Sequence, residues 1–243
     1  MAYDLIYPSG IIEQLERELG RDLRREIELG FFADHVELTR KYDSWHATNL
    51  AMRTHNLHPT KCRSMIAIGR TIGRSEYVHY AYMNMKEILE ARFMVDGVFP
   101  ESPDYHGQTA GNLQMAAALM ADYTDPPGYT DELSGRRFEA FNVDIEFPML
   151  KRAYQYLDDC TYPDGMRMVV HDTWPRHRPE NARTETTSRL FPAFGHAVLG
   201  LGEDAQQAEA HLHYSKGFGH EHNDTLNLAL WACGEELLSE LGY

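Results

Sequence analysis

Cysteine, positive charge and long apolar runs are all scarce in this 243-residue chain. Cys62, Cys160 and Cys233 are too few and too far apart for a disulfide framework or a zinc knuckle, so we expect reduced core thiols. No apolar stretch approaches the roughly 20 residues that a membrane helix needs, and the first residues lack the basic and apolar regions of a signal peptide. These absences predict a cytoplasmic protein without membrane contact, or a periplasmic or secreted one if the chain is a fragment lacking its N-terminus.

Negative charge dominates, since 37 acidic residues stand against 23 lysines and arginines and the formal net charge is −14. Nucleic-acid binding needs a basic surface, so this balance excludes it as a general function. The same charge repels a polyanionic sugar at long range, and an acidic substrate therefore needs local cations. Three basic clusters qualify, although each also fits a solvated charged surface: residues 136–137, 151–152 and 176–178.

The first two thirds of the chain have a helical hydrophobic period. Ser9 is the expected N-cap of the first helix, and Thr60 is the expected N-cap of another that Gly73 ends. Apolar residues three and four apart predict further helices, which cover residues 75–95, 112–120 and 132–159.

The period changes to alternation after about residue 165. It predicts strands at 166–170, 194–201, 208–214 and 225–231, with a hairpin-like turn at Cys233-Gly234. We therefore predict an α+β fold, with a helical (α/α) toroid-like domain over 1–165 and an antiparallel β-sheet domain over 166–243. So few strands leave open edges, which predicts that another chain, a homo-oligomer or further residues of a longer protein complete the sheet.

The segment from Gly217 to Leu228 is the most informative in the sequence. On extended backbone, His220 and His222 would point to the same side, and Asp224 would follow one step further on that side. Imidazole is a common metal ligand and the acid–base group of neutral pH. The segment predicts a catalytic pocket, a metal site or both, and the alternative is a pair of histidines in a surface turn.

Three further clusters precede this segment. The first is His55-Asn56-Leu57-His58, the second runs from Asp96-Gly97 to Tyr105-His106, and the third leads from residues 162–165 to His171-Asp172. Each also has a structural interpretation: histidines that cap a helix end, a buried tyrosine with a satisfied hydroxyl, and a hydrogen-bonded pair in a loop.

Taken together, the order of these clusters resembles the heparinase II/III-like polysaccharide lyases, which include related alginate lyases. Residues 96–106 are similar to the family loop D-G-x-x-x-E-x-S/P-x-Y-H, and residues 219–243 are similar to its G-H-x-H-x-D-x-L…G…D-x-G-Y signature. The resemblance covers a central slice of the family architecture. It implies a catalytic α/α toroid followed by a β-sandwich that is incomplete here.

The resemblance also implies roles for individual residues. It makes Tyr105 and His220 catalytic, and it places the catalytic asparagine at Asn56, with Asn49 as a rival. The family often has histidine directly after that asparagine; here the position is Leu57, so the histidine is either His55 or His58. The remaining expected residues are substrate contacts (Glu101, His106, Arg137, Arg176 and Arg178) and ligands of a structural zinc (His222, Glu240 where the family has aspartate, and a histidine beyond Tyr243).

The implied activity is cleavage of a 4-linked uronate in an acidic polysaccharide, such as a glycosaminoglycan or alginate, by β-elimination. Tyr105 is then the acid, or the base if nearby cations lower its pKa, and His220, His55 or His58 is the alternative base. Two other interpretations stay open. One is a glycoside hydrolase that uses Glu101 with Asp104 or Asp172, and the other is a non-catalytic carbohydrate-binding fragment.

Overall fold

The computed structural model describes residues 11–215, 219–223 and 225–240. Within them helices come first and antiparallel strands last, which confirms the α+β prediction. The predicted cap at Ser9, the side chain of Asp224 and the closing Gly242-Tyr243 lie outside the described residues. No helix in the described part is long and apolar enough to cross a membrane.

Eight α-helices and one π-helical segment make up the helical part that the structure describes. They are α1 (Ile11–Glu26, kinked at Gly20), the π-helix Ile27–Ala33, α2 (Asp34–Trp45), α3 (Leu50–Arg53), α4 (His58–Ile72), α5 (Ser75–Arg92), α6 (Pro103–Ala118), α7 (Val143–Glu146) and α8 (Met149–Asp159).

Several predicted helix boundaries differ from the structure; α6, for example, begins at Pro103 although the sequence predicts the helix from 112, and α5 ends at Arg92 although the sequence predicts that it reaches 95. Helix α4 begins at His58, two residues before the predicted cap, because Pro59 in the first turn already has the φ that a helix needs. It ends at Gly73, which has the expected left-handed φ of 71°. The continuous helix predicted over 132–159 is wrong, since only α7 and α8 form there and Pro148 separates them.

The described strands are β1 (Arg189–Phe191), β2 (His196–Leu201), β3 (Ala208–His213), β4 (Asn227–Ala232) and β5 (Glu235–Leu238), and they form one antiparallel meander in chain order. The turn between β4 and β5 is the predicted hairpin, with positive φ at both Cys233 and Gly234. The strand predicted at 166–170 is wrong, because residues there form only isolated bridges.

The two faces of this sheet differ in chemistry. Alternate residues of β2, β3 and β4, such as His196, His211 and Trp231, are buried on one face. The other face carries leucines that remain exposed, among them Leu199 and Leu228. An apolar sheet face of this kind is typical of a sheet that packs against a second layer. That another chain or a homo-oligomer supplies this layer stays a prediction.

The chain divides into two compact units that are not continuous in sequence. One contains the chain up to Ala91 together with Asn112–Phe147, and the other contains Arg92–Gly111 together with the chain from Pro148 onward. We call them the helical unit and the sheet unit. The predicted division into 1–165 and 166–243 follows the change of secondary structure, and as a statement about domains it stays a prediction.

Each unit has its own apolar core. In the helical unit, α4 and α5 bury side chains such as Ile66 and Met85. In the sheet unit, Tyr156 of α8 packs with Val98, Phe191 and Phe194. This second cluster fixes the loop before α6 against the start of the sheet, and that loop leads into the candidate site. Cys62 and Cys160 are buried free thiols as predicted, whereas Cys233 is exposed.

Candidate active site

The loop before α6 is held by its first two residues. The carboxylate of Asp96 accepts hydrogen bonds from the backbone N–H groups of Ala193 (2.9 Å) and Phe194 (3.0 Å). Gly97 has a φ of 88°, and a Cβ added there would lie 2.6 Å from the Cβ of Arg152. The Asp-Gly pair therefore sets the course of the loop, and this role needs no contact with a substrate.

Tyr105 lies in the first turn of α6, and Ser102 fixes that turn. The Ser102 hydroxyl accepts a hydrogen bond from the backbone N–H of Tyr105 (3.4 Å), as an N-cap does. The same hydroxyl donates to the carbonyl oxygen of Asp172 (2.7 Å). One serine thus joins the helix end that carries Tyr105 to the turn that carries Asp172.

His106 follows Tyr105 but has a structural role. Its ring is fully buried; Nδ1 accepts from the backbone N–H of Phe99 (2.9 Å) and Nε2 donates to the carbonyl of Ala153 (2.7 Å). Burial is the main cause that lowers its pKa to about 4, and Arg167 lowers it further while the carbonyl opposes the shift. Both ring nitrogens are used by backbone groups, so the structure supports a structural role, and the predicted contact of His106 with substrate stays a prediction.

Glu101 is buried beside the candidate site. Burial raises the pKa of its carboxyl group, and Arg92, together with His220 when that imidazole is protonated, partly opposes the shift. The guanidinium of Arg92 lies 3.9 Å from its Oε1. The predicted contact of Glu101 with substrate stays a prediction.

The two histidines of the signature do not follow the extended geometry that we predicted. His220 has a φ of 54°, a left-handed conformation, and residues 219–223 form no strand. Both rings nevertheless reach one carboxylate. Nδ1 of His220 lies 2.9 Å from Oδ2 of Asp172, and Nε2 of His222 lies 3.2 Å from Oδ1. Asp172 lies on a turn about 50 residues earlier in the chain, and its carboxylate contacts both imidazoles.

Tyr105 and His220 are stacked on each other. Their ring centroids are 3.5 Å apart and their planes are 13° from parallel. The side chain of His220 is 35% exposed, so a ligand can reach it. Because the carboxylate of Asp172 accepts from Nδ1–H, the lone pair of His220 lies on Nε2. A phenol that can donate a proton and an imidazole that can accept one therefore lie side by side.

His222 lies between two carboxylates, since its Nδ1 contacts Oε1 of Glu240 while Nε2 faces Asp172. A neutral imidazole has only one N–H group and can donate to only one of the two carboxylates. Balancing the second carboxylate requires either a second proton on the imidazole or a bound metal cation. This donor chemistry fits the predicted pairing of His222 with Glu240 as metal ligands. Among the described residues, however, no group of three or more His, Cys, Asp or Glu side chains could hold a metal ion.

The candidate residues around Asn56 belong to the helical unit. Asn49 is the N-cap of α3, where its side chain accepts from the backbone N–H of Met52 (3.2 Å). His58 is fully buried with Nε2 3.6 Å from Oδ1 of Asp43, and its predicted catalytic role stays a prediction. His55 and Asn56 are half-buried, and their predicted roles stay predictions.

Arg137 is also occupied within the helical unit. Its guanidinium donates to the carbonyl oxygens of Pro126 (2.7 Å), Tyr129 (3.1 Å) and Asp125 (3.1 Å), and it pairs with Glu139. These bonds hold the loop that replaces the predicted helix. A guanidinium bound to backbone groups has little capacity left for a sugar acid, and the prediction of Arg137 as a substrate contact stays a prediction.

A cavity of about 550 Å³ opens beside Tyr105 in the sheet unit. Arg176 and Arg178, both predicted substrate contacts, line it. Sequence reasoning did not select several other lining residues, among them Arg167, Trp174 and Tyr154. For Trp174 a signal existed, because the run Trp174-Pro175-Arg176-His177-Arg178 places an aromatic residue and two cations at alternate positions.

Comparison with known proteins supports the fold. No protein-family profile and no curated protein sequence matches the chain. Among solved structures, heparinase III superposes with a TM-score of 0.62 at 15% identity, over 87% of this chain and 41% of that one. Heparan sulfate lyase HepC from Pedobacter heparinus superposes with a TM-score of 0.56 at 13% identity, over 77% of this chain and 32% of that one. The chain thus has the fold of part of these lyases and spans less than half their length.

Proposed function

We propose that this chain carries the reacting groups of a polysaccharide lyase that cleaves a 4-linked uronate by β-elimination. The product would be a sugar end with a double bond between C4 and C5. The observation that carries the proposal is the stacked pair of Tyr105 and His220, oriented by Asp172 and bordered by a cavity with arginines. The fold shared with two heparin-type lyases supports it.

The reaction makes three demands on the protein. The C6 carboxylate must be neutralised, since C5–H is otherwise too weak an acid. A base must take the C5 proton, and the electron pair left on C5 then forms the C4–C5 double bond while the C4–O4 bond breaks. An acid must give O4 a proton as it leaves. No water enters the products.

The geometry of the sheet unit supports an assignment of residues to two of these three demands, the base and the acid. Nε2 of His220 takes the C5 proton, because Asp172 holds the other nitrogen as a donor. The phenol of Tyr105 donates its proton to O4. Turnover leaves an imidazolium and a phenolate on neighbouring rings, and transfer of the proton from Nε2 to the phenolate, directly or through solvent, restores both groups. Asp172 stabilises the imidazolium that forms.

Neutralisation of the uronate carboxylate is assigned to Asn56 with His55. An amide and an imidazole supply N–H donors that can be directed at the charge developing on the enolate. This assignment rests on the sequence resemblance. Replacing Asn56 by alanine should lower kcat with little change in stability, because the side chain is half-buried and outside the apolar core.

A structural zinc is part of the proposal, with His222 and Glu240 as two of its ligands. Bound there, the metal would supply the positive charge that the imidazole lacks between its two carboxylates. We expect His222→Ala to lose zinc by elemental analysis and to unfold at a lower temperature than the wild type. A wild-type protein free of zinc after metal-replete expression would refute this part of the proposal without touching the roles of Tyr105 and His220.

A hydrolase that uses paired carboxylates is less well supported. Asp104 accepts from Arg167 (2.8 Å) and from the backbone N–H of Trp174 (2.9 Å), so its oxygens are engaged as a carboxylate. Glu101 is buried, and the ion pair that the structure shows for it is with the guanidinium of Arg92, at 3.9 Å, and not with a second carboxyl group. A retaining or inverting hydrolase needs two carboxyl groups facing the same bond.

Incubation with alginate, heparan sulfate, chondroitin sulfate and hyaluronan tests the proposal. The conjugated product of elimination absorbs in the ultraviolet, so absorbance should rise with at least one polymer. New reducing ends without absorbance would indicate hydrolysis. Neither signal with any of the polymers would favour a non-catalytic carbohydrate-binding role.

A further inference from the structure

The segment that follows the Asp172 turn is held extended by backbone bonds. The N–H of Arg167 donates to the carbonyl of Arg176 (2.8 Å), and the N–H of Arg178 donates to the carbonyl of Gly165 (2.9 Å). Gly165 has a φ of 85°, and a Cβ there would lie 2.1 Å from the Arg178 carbonyl oxygen. Residues 174–178 are thus fixed in position against residues 164–167.

Extended backbone directs alternate side chains to the same side. Trp174, Arg176 and Arg178 are alternate residues, and all three line the cavity beside Tyr105. His177, between the two arginines, points elsewhere and its Nε2 donates to the carbonyl of Asp164 (3.0 Å). We call Trp174, Arg176 and Arg178 the arginine strip.

The charges around the strip do not cancel. Asp104 is the acidic side chain among the lining residues, and it is used by Arg167 at 2.8 Å, with Arg176 farther away at 3.7 Å. The side chains of Arg167 and Asp104 are each only 9% exposed, so this is a buried pair. The guanidinium of Arg178 has no ion pair within the part of the chain that the structure describes. Three guanidinium groups against one carboxylate leave the cavity positive in a chain with a net charge of −14.

From this placement we infer that the arginine strip is a subsite for an acidic sugar next to the uronate that reacts at Tyr105. The inference deepens the proposed function and rests on it for the identity of the neighbouring site. Arg176 and Arg178 bind a sulfate or carboxylate group through paired N–H donors, and the exposed indole of Trp174 covers the face of the sugar ring. A cavity of about 550 Å³ lies within the range of small-ligand sites.

Binding to oligosaccharides that cannot be cleaved tests the subsite apart from the reaction. The two probes are a dextran sulfate oligosaccharide, which has sulfate and no uronate, and an alginate-derived mannuronate disaccharide whose reducing end has been converted to the alditol, which keeps its carboxylates and has no sulfate. Tryptophan fluorescence reports binding, and the part due to Trp174 disappears in Trp174→Phe. We expect the double variant Arg176→Ala/Arg178→Ala to weaken the Kd of at least one probe by about tenfold or more.

The matched control is His177→Ala, which changes the same segment on its other side and should leave the Kd unchanged. If only one probe loses affinity in the double variant, the strip recognises the acidic group of that probe, either sulfate or carboxylate. If both probes lose affinity, the strip recognises anionic groups of either kind. Equal Kd values for the wild type and a folded double variant would overturn the subsite. So would equal losses in His177→Ala, because they would show a general disturbance of the segment.

Turnover separates this inference from the proposed function. On a polymer that the protein cleaves, the double variant should raise KM about tenfold while kcat stays within about twofold, because the strip binds ground state and transition state alike. Strip-dependent probe binding without cleavage of any polymer would support the subsite and contradict the lyase. Cleavage with an unchanged KM in the double variant would support the lyase and contradict the subsite.

Discussion

Two histidine–aspartate pairs in this molecule have nearly the same local geometry and opposite surroundings. In the helical unit, Nε2 of His79 lies 2.8 Å from Oδ2 of Asp125, and the two side chains are 1% and 0% exposed. In the sheet unit, Nδ1 of His220 lies 2.9 Å from Oδ2 of Asp172, and the side chains are 35% and 23% exposed. A hydrogen-bonded imidazole is therefore no sign of catalysis by itself; access to a ligand separates the two pairs.

The ring stacked on each histidine sharpens the contrast. The ring of His79 lies on Phe138, with centroids 4.0 Å apart and planes at 9°. The ring of His220 lies on Tyr105, at 3.5 Å and 13°. A phenyl ring contributes packing alone, whereas a phenol also carries an exchangeable proton.

Tyr105→Phe places a phenyl ring against His220, as Phe138 already does against His79 in the buried pair. We expect kcat on the cleaved polymer to fall by about 10³-fold, because the leaving oxygen loses its proton donor. Binding should persist, since the ring still stacks on His220. The measurement is ultraviolet absorbance with time together with the Kd for the same polymer. Near-normal kcat in a folded variant would remove Tyr105 from the mechanism.

Asp172→Asn removes the charge that orients the exposed imidazole and keeps the side-chain shape. We expect kcat to fall by about 10²-fold, since the amide stabilises the imidazolium less well and permits the wrong ring orientation. KM should change little, because Asp172 lies behind His220 with respect to the substrate in this mechanism. An equal loss in kcat and in folded fraction would mean that Asp172 has only a structural role.

Asp125→Asn is the matched change in the buried pair. Its carboxylate also accepts from the backbone N–H of Phe138 (2.7 Å), so the variant disturbs a buried network. We expect the free energy of unfolding to drop by about 2 to 3 kcal/mol, with kcat of the folded protein unchanged. Urea denaturation measures the first and ultraviolet absorbance the second. A loss of kcat without a loss of stability in Asp125→Asn would show that the His79–Asp125 pair also takes part in the reaction, which contradicts our account.

Acid should destabilise the sheet unit through its buried imidazoles. Burial lowers the pKa of His106 to about 4 and that of His196 well below its ordinary value. The unfolded chain binds these protons near pH 6.5, so stability is fully present above that pH and is lost as pH falls toward 4. For His106 alone the loss at pH 5 is about 2 kcal/mol. Urea midpoints at pH 7.5 and pH 5 that agree would contradict this assignment.

Local sequence pattern predicts much of this fold. The change from a helical period to alternation locates β2, β3 and β4, and Cys233-Gly234 locates the hairpin between β4 and β5, because both depend on neighbouring residues alone. The short strand β1 and the break within 132–159 escape such reasoning. In the second case Asp125 and Arg137 bond to backbone groups of a loop whose shape no local pattern specifies.

The candidate site is less predictable because long-range contacts decide which polar groups are available. The sequence indicates Tyr105 and His220. Asp172 becomes part of the site only through its hydrogen bond to His220, which lies 48 residues later in the chain. The same reasoning selects His58 and His106, which the fold buries against Asp43 and against backbone groups. Residue type identifies candidates, and burial then decides which of them a substrate can reach.

The masses of the products test the central claim most directly. A size-defined tetrasaccharide with 4-linked uronates, treated with the protein and analysed by mass spectrometry, distinguishes elimination from hydrolysis in one experiment. Elimination adds no water, so we expect two products whose masses sum to that of the substrate, one of them carrying an unsaturated uronate. Products whose masses sum to substrate plus one water would contradict a lyase built on Tyr105 and His220.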